Sequence, residues 1–199
     1  MRKVIFTLGC FMGTMIAQAQ IEKKDVLLGG SFGFGGSSQG NTIGSGSNSN
    51  LQPFIQFAYK QNRTIGFGID MYQFSNRANN GTNKQSSFSI SPSVNFNQYH
   101  PLKGNFGWVL QEYVGATFFS SKNSNGSTTV RSNSTGVVAG IIPGLYYMAG
   151  EKKNWLLQAN VGGLGASYSK FNNTDHSSLN FNANLFQSYR FGFAYVFRK

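Results

Sequence analysis

The chain is poor in the residues from which several classes of protein are built. Its only cysteine, Cys10, lies in a segment that we expect to be removed, so the mature chain forms no disulfide and no cysteine-ligated metal site. Charged residues make up only 12% of the chain. After the N-terminus no stretch of 18 consecutive apolar residues occurs, which excludes a helical membrane protein. A disordered secreted chain would lack the aromatic content of 15% found here.

The N-terminus has the pattern of an export signal. Arg2 and Lys3 precede an apolar run over 4–16, and Ala17-Gln18-Ala19 forms an A-x-A site. The run is too short for a comfortable transmembrane helix, which needs about 20 residues. We therefore predict a signal peptide over 1–19 and one mature domain over 20–199.

The charge balance is basic but dispersed. Of the 17 Lys and Arg residues, two precede the expected cleavage point, so 15 remain against six acidic residues. A basic balance can indicate nucleic-acid binding. The dispersion of these residues and the export signal favour anionic lipid head groups instead, and we expect no nucleic-acid partner.

Alternation of apolar and polar residues predicts strands, because successive side chains of a strand point to opposite faces. In 87–97, for example, Phe88, Ile90, Val94 and Phe96 alternate with serines and Asn95. Pro92 lacks an N–H donor, so we expect a bulge or a break in the ladder there. Eight segments are predicted to be strands: 25–35, 51–60, 64–74, 87–97, 106–120, 136–148, 154–168 and 179–197.

The predicted connections alternate between short and long. Those near 61–63, 100–105 and 149–153 are short, whereas 36–50, 75–86, 120–134 and 169–178 are long and rich in Gly, Ser and Asn. Short periplasmic turns and longer extracellular loops are typical of up-and-down membrane barrels. An even count of eight strands places both termini on the short-turn side. The fold class predicted is an all-β, antiparallel, up-and-down transmembrane β-barrel.

The composition of the two faces separates two kinds of barrel. A soluble, lipid-carrying barrel would be polar outside and lined with large apolar residues. Here the polar set consists of Ser, Asn, Gln, Gly and Thr, which suits a hydrophilic lumen. We expect Phe88, Phe96, Phe181 and Phe193 to point outwards. In 106–120 the lipid-facing side is left undecided.

The chain resembles the eight-stranded bacterial outer-membrane barrels of the OmpA-barrel and OmpX-like group, especially the small barrels of Bacteroidetes. The resemblance is carried by the junction at 17–20, the strand and turn over 92–104, and the terminal aromatics Phe191, Phe193, Tyr195 and Phe197. It implies an outer-membrane location and insertion by the barrel-assembly machinery, which reads a C-terminal aromatic. Here Arg198 and Lys199 follow that aromatic.

Three charged residues lie deep within predicted strands. Asp70 and Arg190 fall on polar faces, while Glu112 belongs to the strand whose faces are ambiguous. An unpaired charge in a narrow barrel is costly, so we expect these residues to form a charge network in the lumen. We interpret this network as a structural feature that fixes the register of the strands. The alternative is a role in ion conduction or gating.

Few groups offer catalytic chemistry. The His176-x-Ser178 spacing is similar to an element of the lipid A deacylase barrels, where a histidine activates a serine. No glutamate follows on the terminal strand, and Asp175 is poorly placed to orient the histidine. A plain polar loop is the favoured interpretation, and we expect neither enzyme activity, nor a metal, nor a cofactor.

Amphipathic aromatics are expected at head-group level. The predicted girdle and terminal-strand aromatics are Trp108, Trp155, Tyr189, Phe191, Phe193, Tyr195 and Phe197, with Tyr99, Tyr146 and Tyr147 as further girdle residues.

The function predicted is that of a monomeric, non-enzymatic outer-membrane barrel with a structural or surface-interaction role through four long loops. Its expected surroundings are outer-membrane lipids and lipopolysaccharide. A narrow channel for ions or small solutes is the alternative, and a lipid A-modifying enzyme is the third.

Overall fold

The computed structural model describes residues 20–39, 44–78, 83–125, 127–172, 176–183 and 189–198. The expected signal peptide and its cleavage point lie outside the described residues. No described helix is long and apolar enough to cross a membrane. The strands are β1 (Val26–Gln39), β2 (Gly44–Lys60), β3 (Arg63–Ala78), β4 (Asn83–Pro101), β5 (Phe106–Asn125), β6 (Thr128–Ala149), β7 (Trp155–Val161), β8 (Leu164–Phe171), β9 (Ser177–Ala183) and β10 (Tyr189–Phe197).

These strands form one antiparallel sheet that closes on itself. Each strand from β1 to β6 pairs with the next along the chain. β6 then pairs with both β7 and β8, β7 pairs with β10, and β8 pairs with β9. Pairing of β10 with β1 closes the ring. Ten segments therefore occupy eight positions, and the predicted eight-stranded up-and-down barrel is confirmed.

The barrel wall is interrupted where β7 passes into β8. Gly144 of β6 pairs with Asn160, whereas Ile141 pairs with Leu164, so the register shifts between the two pairs. Gly162, with a φ of 76°, lies in this shift. Pro143, which donates no ladder hydrogen bond, lies in β6 at the same place. The single predicted strand over 154–168 is thus two strands.

Pro92 produces the expected local break. The ladder between β4 and β5 omits Ser91 and Pro92 and resumes at Ser93. The register is the same on both sides of the gap, so no residue is inserted. The break costs pairing on one side only, because Pro92 remains paired with Ile69 of β3.

Large apolar side chains cover the outside of the barrel. Phe88, Phe96, Phe181 and Phe193 are 45%, 39%, 77% and 50% exposed, so their predicted outward orientation is confirmed. The exposure of side chains in the structure also decides the ambiguous strand β5, whose exposed face carries Trp108, Val114 and Phe118. An exposed apolar surface of this extent is stable only in lipid. The structure is therefore a transmembrane β-barrel.

The lumen is closed at one end by an apolar plug. This end carries the turns at 61–62, 102–105 and 150–154 and both ends of the described chain, and we call it the short-turn end. The segment before β1 folds beneath the barrel, where Ile21 is fully buried. We define the plug as the buried cluster of Ile21, Leu27, Ala58, Tyr99, Val109, Tyr146, Met148, Leu156, Ala194 and Val196.

Two girdle predictions are wrong because of this plug. Tyr99 and Tyr146 are 3% and 1% exposed and point into the lumen. Their rings meet edge to face with centroids 5.3 Å apart. The ring of Tyr146 fits against Gly107, where a Cβ atom would lie 2.6 Å from the ring carbon Cε1.

The predicted long loops are mostly strand. At the opposite end, which we call the hairpin end, β1 reaches Gln39, β2 begins at Gly44, and β5 and β6 extend to Asn125 and from Thr128. The Ser- and Asn-rich segments therefore lengthen the barrel wall into hairpin arms. Gly and Asn are depleted in the strands of soluble proteins, and pairing with neighbouring strands overrides that preference here.

Candidate functional site

The charged residues of the lumen form an ion pair at mid-height. Arg190 of β10 contacts Asp70 of β3, with 3.0 Å between Nη2 and Oδ2. Arg190 Nη1 also donates to Gln52 Oε1 at 2.8 Å, and the hydroxyl of Ser31 donates to the same oxygen at 3.3 Å. Strands β1, β2, β3 and β10 together hold the guanidinium in place.

Glu112 is not part of this network, which corrects the expectation for that residue. It pairs with Phe96 of β4 and Ile141 of β6, both exposed on the outer face. Its Oε1 accepts a hydrogen bond from Gln98 Nε2 at 3.2 Å. Residues paired across a ladder share a face, so Glu112 lies outside the barrel and Asp70 inside.

Between the plug and the ion pair lies a belt of hydrogen-bonded polar side chains. Gln56 Oε1 accepts from the hydroxyls of Thr64 at 3.0 Å and Tyr99 at 3.2 Å. Asn97 Nδ2 donates to Thr64 at 3.1 Å, and Gln111 Nε2 donates to Asn95 Oδ1 at 3.3 Å. These bonds satisfy most of the buried polar groups of the belt. The side chains that form them fill the bore, so the lumen is packed between the plug and the ion pair.

Towards the hairpin end the lumen opens into a cavity of about 350 Å³, which we call the cup. Its floor is the ion pair and its walls come from six strands. Tyr113 is seated against Gly140, where a Cβ atom would lie 2.7 Å from the phenolic oxygen. The cup is lined by Asn50, Gln52, Asp70, Tyr72, Ser89, Ser91, Ser93, Tyr113, Val138, Ile142, Asn182 and Arg190.

The His-x-Ser element lies near the tip of one hairpin. His176 is exposed, and its carbonyl accepts from the backbone N–H of Phe171 at 3.1 Å. The Ser178 hydroxyl lies 3.0 Å from the hydroxyl of Ser169 and accepts from Asn180 Nδ2 at 3.3 Å. Asp175 lies outside the described residues. The Ser178 hydroxyl is thus engaged with polar neighbours of its own hairpin.

Aromatic side chains cluster on the outside at the short-turn end. Trp108 stacks on His100 with centroids 3.8 Å apart, and Trp155 meets Tyr195 edge to face at 5.0 Å. Tyr195 in turn contacts Phe197 at 4.8 Å and accepts from Asn154 Nδ2 at 3.1 Å. The other predicted aromatics, apart from Tyr99 and Tyr146, are also exposed on the outer face: Tyr147, Tyr189, Phe191 and Phe193.

The outer face of the hairpin arms is cationic. Arg77 pairs directly with Lys84, and Lys122 pairs directly with Arg131, so strands β3 to β6 carry four neighbouring cations. Lys170 on β8 adds a fifth. All five side chains are exposed, and the described parts of these arms contain no acidic residue. Like charges directly opposite each other destabilise a ladder, and an anion bound between them would relieve this repulsion.

The described residues of the lumen are rich in hydrogen-bonding groups. No group of three or more His, Cys, Asp or Glu among them is placed to hold a metal ion. The ion pair, the amides and the hydroxyls of the cup are donors and acceptors of hydrogen bonds. The two arrangements suited to function are therefore the cup and the cationic outer face.

Sequence reasoning missed three contributors to these arrangements. Gln52 holds Arg190, and its position on the same face as Gln56 and Asn50 was the available signal. The plug was not predicted because Tyr99 and Tyr146 are amphipathic aromatic residues, which are also typical of the girdle. The cationic face is visible only after Arg77, Lys84, Lys122 and Arg131 are brought side by side by strand pairing.

Comparisons with known proteins found similarity at the level of solved structures. No protein-family model matches the chain, and no curated protein sequence matches it. Neisserial surface protein A aligns at 14% identity over 87% of this chain and 97% of its own, with a TM-score of 0.49. Ail, the attachment invasion locus protein of Yersinia pestis, aligns at 14% identity over 89% and 100%, with a TM-score of 0.45.

A third structure is the translocator domain of autotransporter NalP from Neisseria meningitidis. It aligns at 12% identity over 98% of this chain and 94% of its own, with a TM-score of 0.46. The strand pairing and the apolar outer face, rather than these similarities, assign this chain the fold of the small outer-membrane β-barrel proteins.

Proposed function

We propose that this protein is a non-enzymatic outer-membrane barrel, delivered by a cleaved signal over 1–19, that anchors in the membrane and binds anionic glycolipid head groups at its hairpin end. Lipopolysaccharide is the ligand of this kind in an outer membrane. The observation that carries the proposal is the row of cations formed by Arg77, Lys84, Lys122 and Arg131.

The position of the row relative to the apolar surface supports this ligand. Lys84 lies four residues beyond Phe88 on the outer face of β4, and Lys122 lies four residues beyond Phe118 on β5. At about 3.3 Å per residue, each cation is about 13 Å along its strand from the apolar band. Phosphate groups of a glycolipid whose acyl chains cover the band would meet these side chains.

The plug supports a passive role over the channel alternative. Tyr146, Met148 and Leu156 are almost completely buried in the lumen at the short-turn end. Ions crossing the barrel would have to pass through this buried, largely apolar layer, where a charge is strongly disfavoured. An anchoring and binding role needs no open bore.

The proposal is tested with lipopolysaccharide vesicles and the double variant Lys84→Gln, Lys122→Gln. Each lysine near an anionic surface contributes about 1 kcal/mol, so the double variant is expected to bind about thirtyfold more weakly. The matched control is Lys60→Gln, Lys103→Gln, which removes two exposed lysines near the short-turn end and should retain binding.

Two results would contradict the proposal. One is equal binding of the hairpin-end variant and the wild type at low and high salt. The other is a deletion strain whose envelope integrity and surface binding are unchanged.

A further inference from the structure

We propose that the cup is a binding site for a small neutral saccharide, entered from the hairpin end. The cup is distinct from the cationic row, because its walls are the inner faces of the strands whose outer faces carry the cations. The inference therefore does not depend on the proposed glycolipid binding.

The cup is blind. Below Asp70 and Arg190 the bore is filled by the hydrogen-bonded belt and then by the plug. A solute in the cup therefore has no passage through the bore to the short-turn end. At about 350 Å³ the cavity lies at the small end of the range for ligand pockets, which begins at about 300 Å³.

The walls contain hydrogen-bonding side chains that have no partner among the described residues. Among the described residues, the side chains of Asn50, Tyr72, Ser89, Tyr113 and Asn182 form no hydrogen bond to one another or to the rest of the described chain. All five line the cup. They supply hydroxyl and amide groups that both donate and accept, which is the pairing that a ring of sugar hydroxyls requires.

The charge of the cup selects against ions. Arg190 and Asp70 neutralise each other, so the lining carries no net charge. Arg190 uses one N–H toward Asp70 and one toward Gln52, and a guanidinium has five. The remaining N–H groups can donate to a neutral oxygen, whereas a carboxylate ligand would have to compete with Asp70.

The apolar part of the lining suits the C–H face of a sugar ring. Val138 and Ile142 of β6 lie beside Tyr113 on one side of the cup. A pyranose has polar hydroxyl groups around its rim and apolar C–H groups on its faces. The cup offers polar groups on several walls for the hydroxyls, and an apolar patch with an aromatic ring on another wall for the C–H face.

The experiment is methyl NMR of the full mature chain in lipid nanodiscs, titrated separately with glucose, maltose, galacturonate and glycine betaine. Val138 and Ile142 report from inside the cup, and their chain neighbours Val137 and Ile141 report from the exposed outer face. We expect saturable shifts of the inner methyls with glucose or maltose and none at the outer methyls. Such a small ligand should bind with a dissociation constant of about 1 mM.

A substitution at the floor makes the test sharper. Asp70→Asn leaves Arg190 without its counter-charge, so the ratio of galacturonate affinity to glucose affinity should rise about tenfold. Glu112→Gln removes the same carboxylate chemistry from the outer face and should leave both affinities unchanged. The outer methyl spectrum of each variant shows whether the barrel is folded.

Three outcomes would overturn the inference. Wild-type protein showing no saturable shift with either neutral sugar is the first. Preference of the wild type for galacturonate or glycine betaine is the second. The third is a folded Asp70→Asn variant whose affinity ratio is the same as that of the wild type.

Discussion

Arg198, the residue after the last strand, lies with its Nη1 atom 3.5 Å from the carboxylate of Asp25, the residue before the first strand. Asp25 is almost completely buried. Arg198 Nη2 also donates to the carbonyls of Gln20 at 3.1 Å and Lys153 at 3.0 Å. The basic residue after the terminal aromatic thus joins the two ends of the described chain and a neighbouring turn.

Replacing Arg198 with Ala is expected to destabilise the barrel. The change leaves the buried carboxylate of Asp25 with one remaining partner, the backbone N–H of Glu22 at 2.9 Å. Since Arg198 is partly exposed, we expect a loss of about 1–2 kcal/mol rather than the larger cost of a fully buried pair. Urea unfolding in lipid vesicles measures this loss. Lys152→Ala, a change of an exposed neighbour, is the control, and equal stability of the two variants would refute the role given to Arg198.

Gly107→Ala is expected to disturb the plug. The new Cβ atom would lie 2.6 Å from the Tyr146 ring and 2.5 Å from the carbonyl oxygen of His100. Overpacking of this kind costs about 1–3 kcal/mol, and backbone contact on one side prevents easy relief. Gly30→Ala is the matched control, because its nearest contact is 3.4 Å. Unfolding midpoints that fall equally in both variants would contradict the prediction.

The wild-type barrel is expected to show no discrete conductance in planar lipid bilayers. The reason is the plug, whose buried side chains Tyr146, Met148 and Leu156 occupy the bore at the short-turn end. The measurement compares the wild type with the double variant Tyr99→Ala, Tyr146→Ala, which removes both plug rings. Regular ionic steps from the folded wild type would revive the channel alternative.

Neither His176→Ala nor Ser178→Ala is expected to change lipid A in cells that overproduce the protein. Ser178 is engaged with Ser169 and Asn180 within its own hairpin. Mass spectrometry of extracted lipid A provides the comparison with cells that carry the empty vector. A modification that appears with the wild type and disappears in either variant would instead support the enzyme interpretation.

The identity of the side chains on the outer, lipid-facing surface of the barrel can be predicted from local sequence. Alternation along 87–97 predicts both the strand and the outward direction of Phe88 and Phe96, because a strand has only two faces and lipid accepts only one of these residue sets. The gap at Pro92 was likewise predictable, since a missing N–H removes a ladder bond wherever the residue lies. The even number of strands then places both chain ends together.

The candidate sites follow from pairing between distant segments, and sequence alone does not determine them. Asp70 and Arg190 are 120 positions apart in the numbering, and only their places on β3 and β10 of a closed ring bring them into contact. Glu112 was misplaced because both faces of β5 contain apolar residues, so alternation there carries little information. Ring closure and register decided which face became lumen.

By itself, the order of residues predicted an exported chain, and it determined eight strand positions and an apolar exterior, because those two properties depend on neighbours one or two residues apart. Tertiary structure decided that the bore is sealed by Tyr99 and Tyr146, that the Ser- and Asn-rich segments are arms rather than loops, and that four cations form one row. Each of these depends on which residues lie across a ladder or across the lumen, and that is set only when the sheet closes.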